Sequence, residues 1–355
     1  MKHKITRGLA LFMILVIIIP AALIGCRKND SEYRDFNLFV MDTYVTLRFA
    51  ANNSDGAPLS EDYLTSVADE CEAILAEIDN SISCHNENSD VYALNRDVSM
   101  LLNANSTLIS LIETSSVLSS LTDGAYDHSL GALTKLWNVT GGGPVPSSED
   151  IEVALSHAGS DKFAVDGTDI KKSDPEAQLD FGAIGKGLAA QMILEYLSGT
   201  DIPYGIVSVG GNIGVFGEKP DLESYKIGIR NPDDSSKVLG YLYIPSGFIS
   251  VSGSYERFFE QDGKIYHHIL DPKTGYPAET GVKSVAVYST NGTTADALST
   301  ALFVLGVEKS LELYNNGKLR FEAVFVLDDG SITTTPGIDE SMFEIYSEND
   351  AESGK

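Results

Sequence analysis

The sequence predicts an α+β fold: a single domain of mixed, mainly antiparallel sheets with helices segregated between them. Two observations point there. The centre and C-terminal half are strand-rich, with "YGIVSVGGNIGVFG", "SYKIGIRN", "KVLGYLYI", "GFISVSG", "YERFFEQDGKIYHHIL" and "VKSVAVYS" following one another closely. Strands adjacent in sequence pair antiparallel through short turns. Helical periodicity is confined to other stretches and does not alternate strand by strand, as a doubly wound sheet requires. No internal repeat interrupts this order.

The elements follow in chain order. "MKHKITR" is basic, "GLALFMILVIIIPAA" apolar, and "LIGC" closes the run. This is the layout of a secretory signal, and its end resembles a bacterial lipobox, in which Cys26 would carry a lipid after cleavage just before it. The stretch from Gly8 to Gly25 also approaches membrane-spanning length, so an uncleaved anchor is the alternative. The expectation is a lipoprotein signal over residues 1–25, a polar tether over 26–35, the domain over 36–346 and an acidic tail over 347–355. Such a chain sits lipid-anchored on the extracytoplasmic face of the cell membrane.

"FNLFVMDTYVTLRFA" reads as a strand. Ser60 is placed to cap a helix whose apolar positions are Leu64, Val67, Ala68, Cys71, Leu75 and Ile78. Cys71 thus reads as a buried thiol; a Cys71–Cys84 disulfide stays open. Neither CxxC nor zinc spacing occurs. A short helix from Ser89 and a longer one from Asn105 to Leu121 precede the stop "TDG". "TGGGPVPSSED" is a loop leading into a helix start, and Asp262-Gly263 is a hairpin turn. A helix pair begins at Thr293, "EAVFVLDDGSITTT" forms a hairpin, and the acidic end after Phe343 is expected to fray.

Charge narrows the function. Among 355 residues, 51 are acidic and 25 basic, a net of −26. Such a surface repels nucleic acid. A phosphorylated ligand would need local positive charge, backbone amides or a metal to hold it.

Three stretches carry chemistry. In "LDFGAIGKGLAAQ" a carboxylate precedes three glycines and a lysine, and a helix follows. The spacing fits neither the Walker pattern nor GxGxxG. It leaves either an anion site at a helix N-terminus, helped by Lys186, or a tight strand-to-helix turn. In "TTADALSTALFVLG", Asp296, Ser299 and Thr300 share one face of an apolar helix. One carboxylate with two hydroxyls suits Mg²⁺, which keeps waters and borrows phosphate oxygens; plain N-terminal capping is the alternative. In "YHHILDPKTGYP", His267 and His268 end a strand before an Asp-Pro turn and point to opposite faces.

Together and in this order, "DFGAIGKGLAA", "VSVGGNI", "SGSYERFF", "HHILDPKTGYP" and "ADALSTALFVLG" resemble the ApbE family of FAD:protein FMN transferases. "VMDTYVTL", "NSDVYALN" and "DGAYDHSLGALTKLW" fit it too, so the resemblance runs from Phe36 to about Tyr346. It implies an enzyme that binds FAD and Mg²⁺ and transfers FMN to a threonine hydroxyl of an acceptor flavoprotein, releasing AMP. The acceptor it implies is a membrane redox subunit or an exported flavoprotein. By resemblance, Met41, His85, Ala125, Tyr126, Asp127, Asp180, Lys186 and Leu270 contact FAD. Ala183, through its carbonyl, and Asp296, Ser299 and Thr300 hold the metal, and His268 is the catalytic base. Relatives often carry an aromatic residue where His85 stands, and some carry a carboxylate where Ser299 stands. Two rival readings use the same residues: an FAD pyrophosphatase, with water in place of threonine, and a non-enzymatic exported FAD carrier. The chain lacks an acceptor motif of its own, since "TDGAYD" has no terminal hydroxyl.

Overall fold

A computed structural model of the protein describes residues 32–96, 99–220 and 224–346. Its centre is an eight-stranded sheet. From edge to edge the strands are Tyr33–Val40, Thr43–Ala50, Gly205–Val209, Asn212–Phe216, Gly247–Gly253, Val282–Ser289, Glu322–Leu327 and Ile332–Thr334. Every neighbouring pair is antiparallel, and the chain is α+β as its sequence predicts. The helices are α1 (Glu61–Ile82), α2 (Asp90–Arg96), α3 (Ser106–Leu121), α4 (Gly131–Trp137), α5 (Ser148–Ser156), α6 (Gly185–Leu197) and α7 (Gly292–Asn315). α7 is broken at Gly306, whose φ of 73° lies outside the helical region.

Side-chain alternation divides the sheet into two faces. Val207, Val209 and Phe248 share a core with the apolar faces of α1, α3 and α6, while Val285, Val287 and Phe325 pack with Leu298, Leu302 and Phe303 of α7. On the opposite face, Val215, Ile249, Ala286 and Val324 meet a three-stranded sheet of Tyr225–Arg230, Val238–Ile244 and Phe343–Ile345. Helices α1, α3, α6 and α7 thus lie on one face and a second sheet on the other.

The helix starts are set by side-chain caps, each relieving an unpaired amide of the first turn. Ser60 accepts from the Tyr63 amide, Ser89 from Tyr92, Asn105 from Thr107, Ser147 from Asp150 and Asn291 from Thr294. α1 buries the six apolar positions read from its periodicity. Asp262-Gly263 forms the expected turn between Phe258–Gln261 and Lys264–His267.

Three expectations are corrected, and one open question is answered. The stretch "FNLFVMDTYVTLRFA" is a hairpin, not one strand. It turns at Met41 and Asp42, both with left-handed φ (56° and 53°). Asp tolerates that region and Met does not, so the turn carries no sequence signal. The first strand begins at Tyr33, inside the stretch assigned to a tether, because Asp35 pairs with Arg48 across the hairpin. The end does not fray at Phe343: Phe343, Glu344 and Ile345 pair with Leu242, Tyr241 and Gly240. Cys71 and Cys84 are both free thiols, and burial pushes each pKa up to about 12. The leader, Cys26 and the tail over 347–355 lie outside the described residues.

Candidate active site

The glycine stretch opens α6 and fixes its approach to α7. The Phe181 carbonyl accepts from the Gly185 amide, closing a tight turn. The Gly187 amide donates to Asp296 Oδ2 at 2.8 Å. A Cβ on Gly187 would lie 2.2 Å from the Gly292 carbonyl oxygen and 2.5 Å from Asp296 Cβ, so only glycine lets the two helices approach this closely. The tight-turn reading of the loop therefore holds. The glycines serve geometry, and the anion at the start of α6 is the protein's own carboxylate. Lys186 reaches the same place, with Nζ 3.1 Å from the Gly182 carbonyl and 3.9 Å from Asp296 Oδ1. Capping of α7 falls to Asn291, which leaves Asp296 free of that duty although it is almost fully buried.

Ser299 and Thr300 lie one turn further on. The Ser299 hydroxyl donates to the Asp296 carbonyl and lies 2.8 Å from Ser252 Oγ, which is 3.4 Å from Thr300 Oγ1. Ser252 is a member of this cluster that sequence reasoning missed. Its only signal was a pair of serines, Ser250 and Ser252, alternating on the apolar strand "GFISVSG".

His267 and His268 part as their alternation requires. His267 turns into the core, with Nε2 on the Ala278 carbonyl and its ring edge-on to Phe303. His268 Nδ1 lies 3.2 Å from the Arg257 carbonyl, which also accepts the His268 amide. A carbonyl accepts only from N–H, so this bond assigns the proton to Nδ1 and leaves Nε2 a bare acceptor. Desolvation first, and the positive charge of Arg257 second, push the His268 pKa down to about 4. The imidazole is neutral at pH 7.

The remaining candidates gather on the glycine-loop side. Asp180 accepts from the Gly182 amide through Oδ1 and from the Thr134 hydroxyl through Oδ2. Thr134, also missed, thus braces the loop. Ala183 is partly buried between Asp180 and Lys186. Met41, at the hairpin turn, brings Cε to 4.0 Å from where a Cβ on Gly185 would be. Ala125 and Tyr126 are buried, and the Tyr126 hydroxyl bonds Ser115. Burial raises the Tyr126 pKa, and the charges of Asp296, Asp127 and Asp180 add to it. Asp127 accepts from the Ser129 amide and hydroxyl. Of the last two candidates, His85 is exposed in the loop after α1, and Leu270 belongs to an apolar cluster with Leu130 and Trp137. His128 is a third residue that sequence reasoning passed over. It is wholly buried, stacked between Tyr126 and Phe181, with neither ring nitrogen hydrogen-bonded.

Comparison with known proteins places the chain in a family. Residues 41–325 match the model of the ApbE family. A Treponema pallidum protein named FAD:protein FMN transferase is 33% identical over 92% of this chain and 93% of its own length. A Klebsiella pneumoniae protein of the same name is 35% identical over 62% of this chain and 69% of its own. The crystal structure of a Thermotoga maritima ApbE protein superposes with a TM-score of 0.76 at 32% identity, covering 86% of this chain and 97% of that one. The Pseudomonas stutzeri flavinyl transferase ApbE, in apo form, gives 0.74 at 31% identity, covering 87% and 96%. In sequence along most of its length and in the path of its backbone, this chain belongs to the ApbE family.

Proposed function

We propose that the chain is an FAD:protein FMN transferase. It moves the FMN moiety of FAD to a threonine hydroxyl of an acceptor flavoprotein in a magnesium-dependent reaction and releases AMP. The observation that carries this reading is the junction of α6 and α7, where Lys186, the Gly187 amide and Asp296 meet.

The donor set fits a hard cation. It offers one carboxylate and hydroxyl oxygens, and among the described residues no three His, Cys, Asp or Glu side chains form a cage. Asp296, Ser299 and Thr300, with the Ala183 carbonyl, would hold Mg²⁺, leaving positions for water and phosphate oxygens. When bound, that ion supplies neutralisation of pyrophosphate charge.

The protein's own groups account for the rest. Met41, His85, Ala125, Tyr126, Asp127 and Leu270 bind the flavin nucleotide; Asp180 holds the loop, and Lys186 draws the pyrophosphate oxygens. A threonine hydroxyl is a weak nucleophile at neutral pH. His268 Nε2 accepts its proton while the threonine oxygen bonds to the FMN phosphorus. The bond from that phosphorus to the bridging oxygen breaks, and AMP leaves with this oxygen. We place the enzyme on the extracytoplasmic face of the cell membrane, anchored through a lipid on Cys26.

The test is the intact mass of a small acceptor domain carrying the threonine motif, after incubation with protein, FAD and Mg²⁺. The expected result is a gain of one FMN, with AMP released and both lost on chelation. Free FMN and AMP beside an unmodified acceptor, repeated with a second acceptor, would replace transfer with hydrolysis.

A further inference from the structure

We propose that Lys186 stands in the ligand-free protein where a divalent cation sits once substrate is bound, so that the cation and the pyrophosphate of FAD bind as a coupled pair. The inference rests on the transferase reading and adds an order of dependence to it.

Four observations converge. Asp296 Oδ2 accepts from the Gly187 amide, which leaves Oδ1 the less engaged oxygen for a cation. Lys186 Nζ lies 3.9 Å from Oδ1 and is steadied there by the Gly182 carbonyl. The Ser299 hydroxyl donates its proton to the Asp296 carbonyl and lies 2.8 Å from Ser252 Oγ; it offers a cation a lone pair but no charge to offset the ammonium. Among the described residues no three His, Cys, Asp or Glu side chains form a cage. A metal arriving alone therefore meets a carboxylate already facing an ammonium, and two cations near one anion repel.

A pyrophosphate changes both terms. Its oxygens attract the Lys186 ammonium, a compact point charge on a flexible stem, and so draw it from Asp296. They also provide ligands that the protein lacks. Each ligand thus prepares the place of the other, and linkage makes the effect reciprocal.

The test titrates MgCl₂ alone, by calorimetry, into wild type, Lys186→Met, Lys186→Arg and Asp296→Asn. FAD is then titrated by flavin fluorescence with and without Mg²⁺, in the absence of acceptor. Wild type should bind Mg²⁺ weakly alone and about 10–100-fold more tightly with FAD, within the usual range of coupling. Lys186→Met should bind Mg²⁺ alone about tenfold more tightly than wild type and lose most of the coupling. Lys186→Arg should behave as wild type, and Asp296→Asn should remove the site. An unchanged or weaker Mg²⁺ affinity in Lys186→Met, or a wild-type affinity indifferent to FAD, would overturn the proposal. FMN transfer is assayed on the same protein preparations with the acceptor domain added. Coupling without transfer would keep this inference and remove the transferase; transfer without coupling would do the reverse.

Discussion

At the residue scale, His268 carries the sharpest expectations. Replacing it with alanine should leave FAD affinity near wild type and lower transfer by about 10²–10⁴, the usual worth of a general base. The separation is read by comparing flavin fluorescence titrations with transfer rates. The pH profile is a second check. A base works when unprotonated, and desolvation and Arg257 hold this one down to about 4. The acid limb of kcat/KM should therefore fall near pH 4–5, not near the usual histidine value of about 6.5. Asp296→Asn keeps an oxygen for the Gly187 amide but removes the charge. It should leave the fold intact by circular dichroism and abolish the dependence of transfer on Mg²⁺.

At the element scale, the α6–α7 contact is the weak point. Gly187→Ala drives a methyl into the Gly292 carbonyl and Asp296. Backbone must move to accept it, so a loss of about 1–3 kcal/mol is expected in denaturant melts, with activity falling further because Lys186 and Asp296 shift together. This element also shows how much of the molecule was legible beforehand. The cap at Ser60, the helix start near Asn105, the apolar face of α1 and the Asp262-Gly263 turn were readable because each is a local pattern whose physics acts within a few residues. Asp296, Ser299 and Thr300 were readable as polar residues on one face of an apolar helix. The bond from Gly187 to Asp296 was not, since it joins segments 109 residues apart. Ser252 was hidden for the same reason, its partner Ser299 being 47 residues away. The Met41–Asp42 turn was missed because its first residue is one that local sterics disfavour there.

At the scale of the whole molecule, stability should decline on the acid side well before the carboxylates titrate. His128 is wholly buried, and burial holds its pKa down to about 4, as it does for His268. An unfolded chain protonates these rings near pH 6.5, while the folded one resists until about 4. Between those values the unfolded state binds more protons, so stability falls as pH falls. Melting temperature should be level above pH 7 and drop between about pH 6.5 and 4. His128→Phe, which keeps a ring between Tyr126 and Phe181, should flatten part of that drop. A slope unchanged in this variant would remove His128 as a cause.

The order of strands in the central sheet also has a consequence in time. Val45 and Val209 are ladder neighbours although nearly half the chain lies between them. During synthesis the first hairpin therefore emerges long before its inner partner exists. Closing so large a loop is entropically costly and slow. The protein should assemble late, within milliseconds to seconds of its last strands appearing. Until then the hairpin's inner edge, Thr43–Ala50, is an open template for any other extended chain it meets.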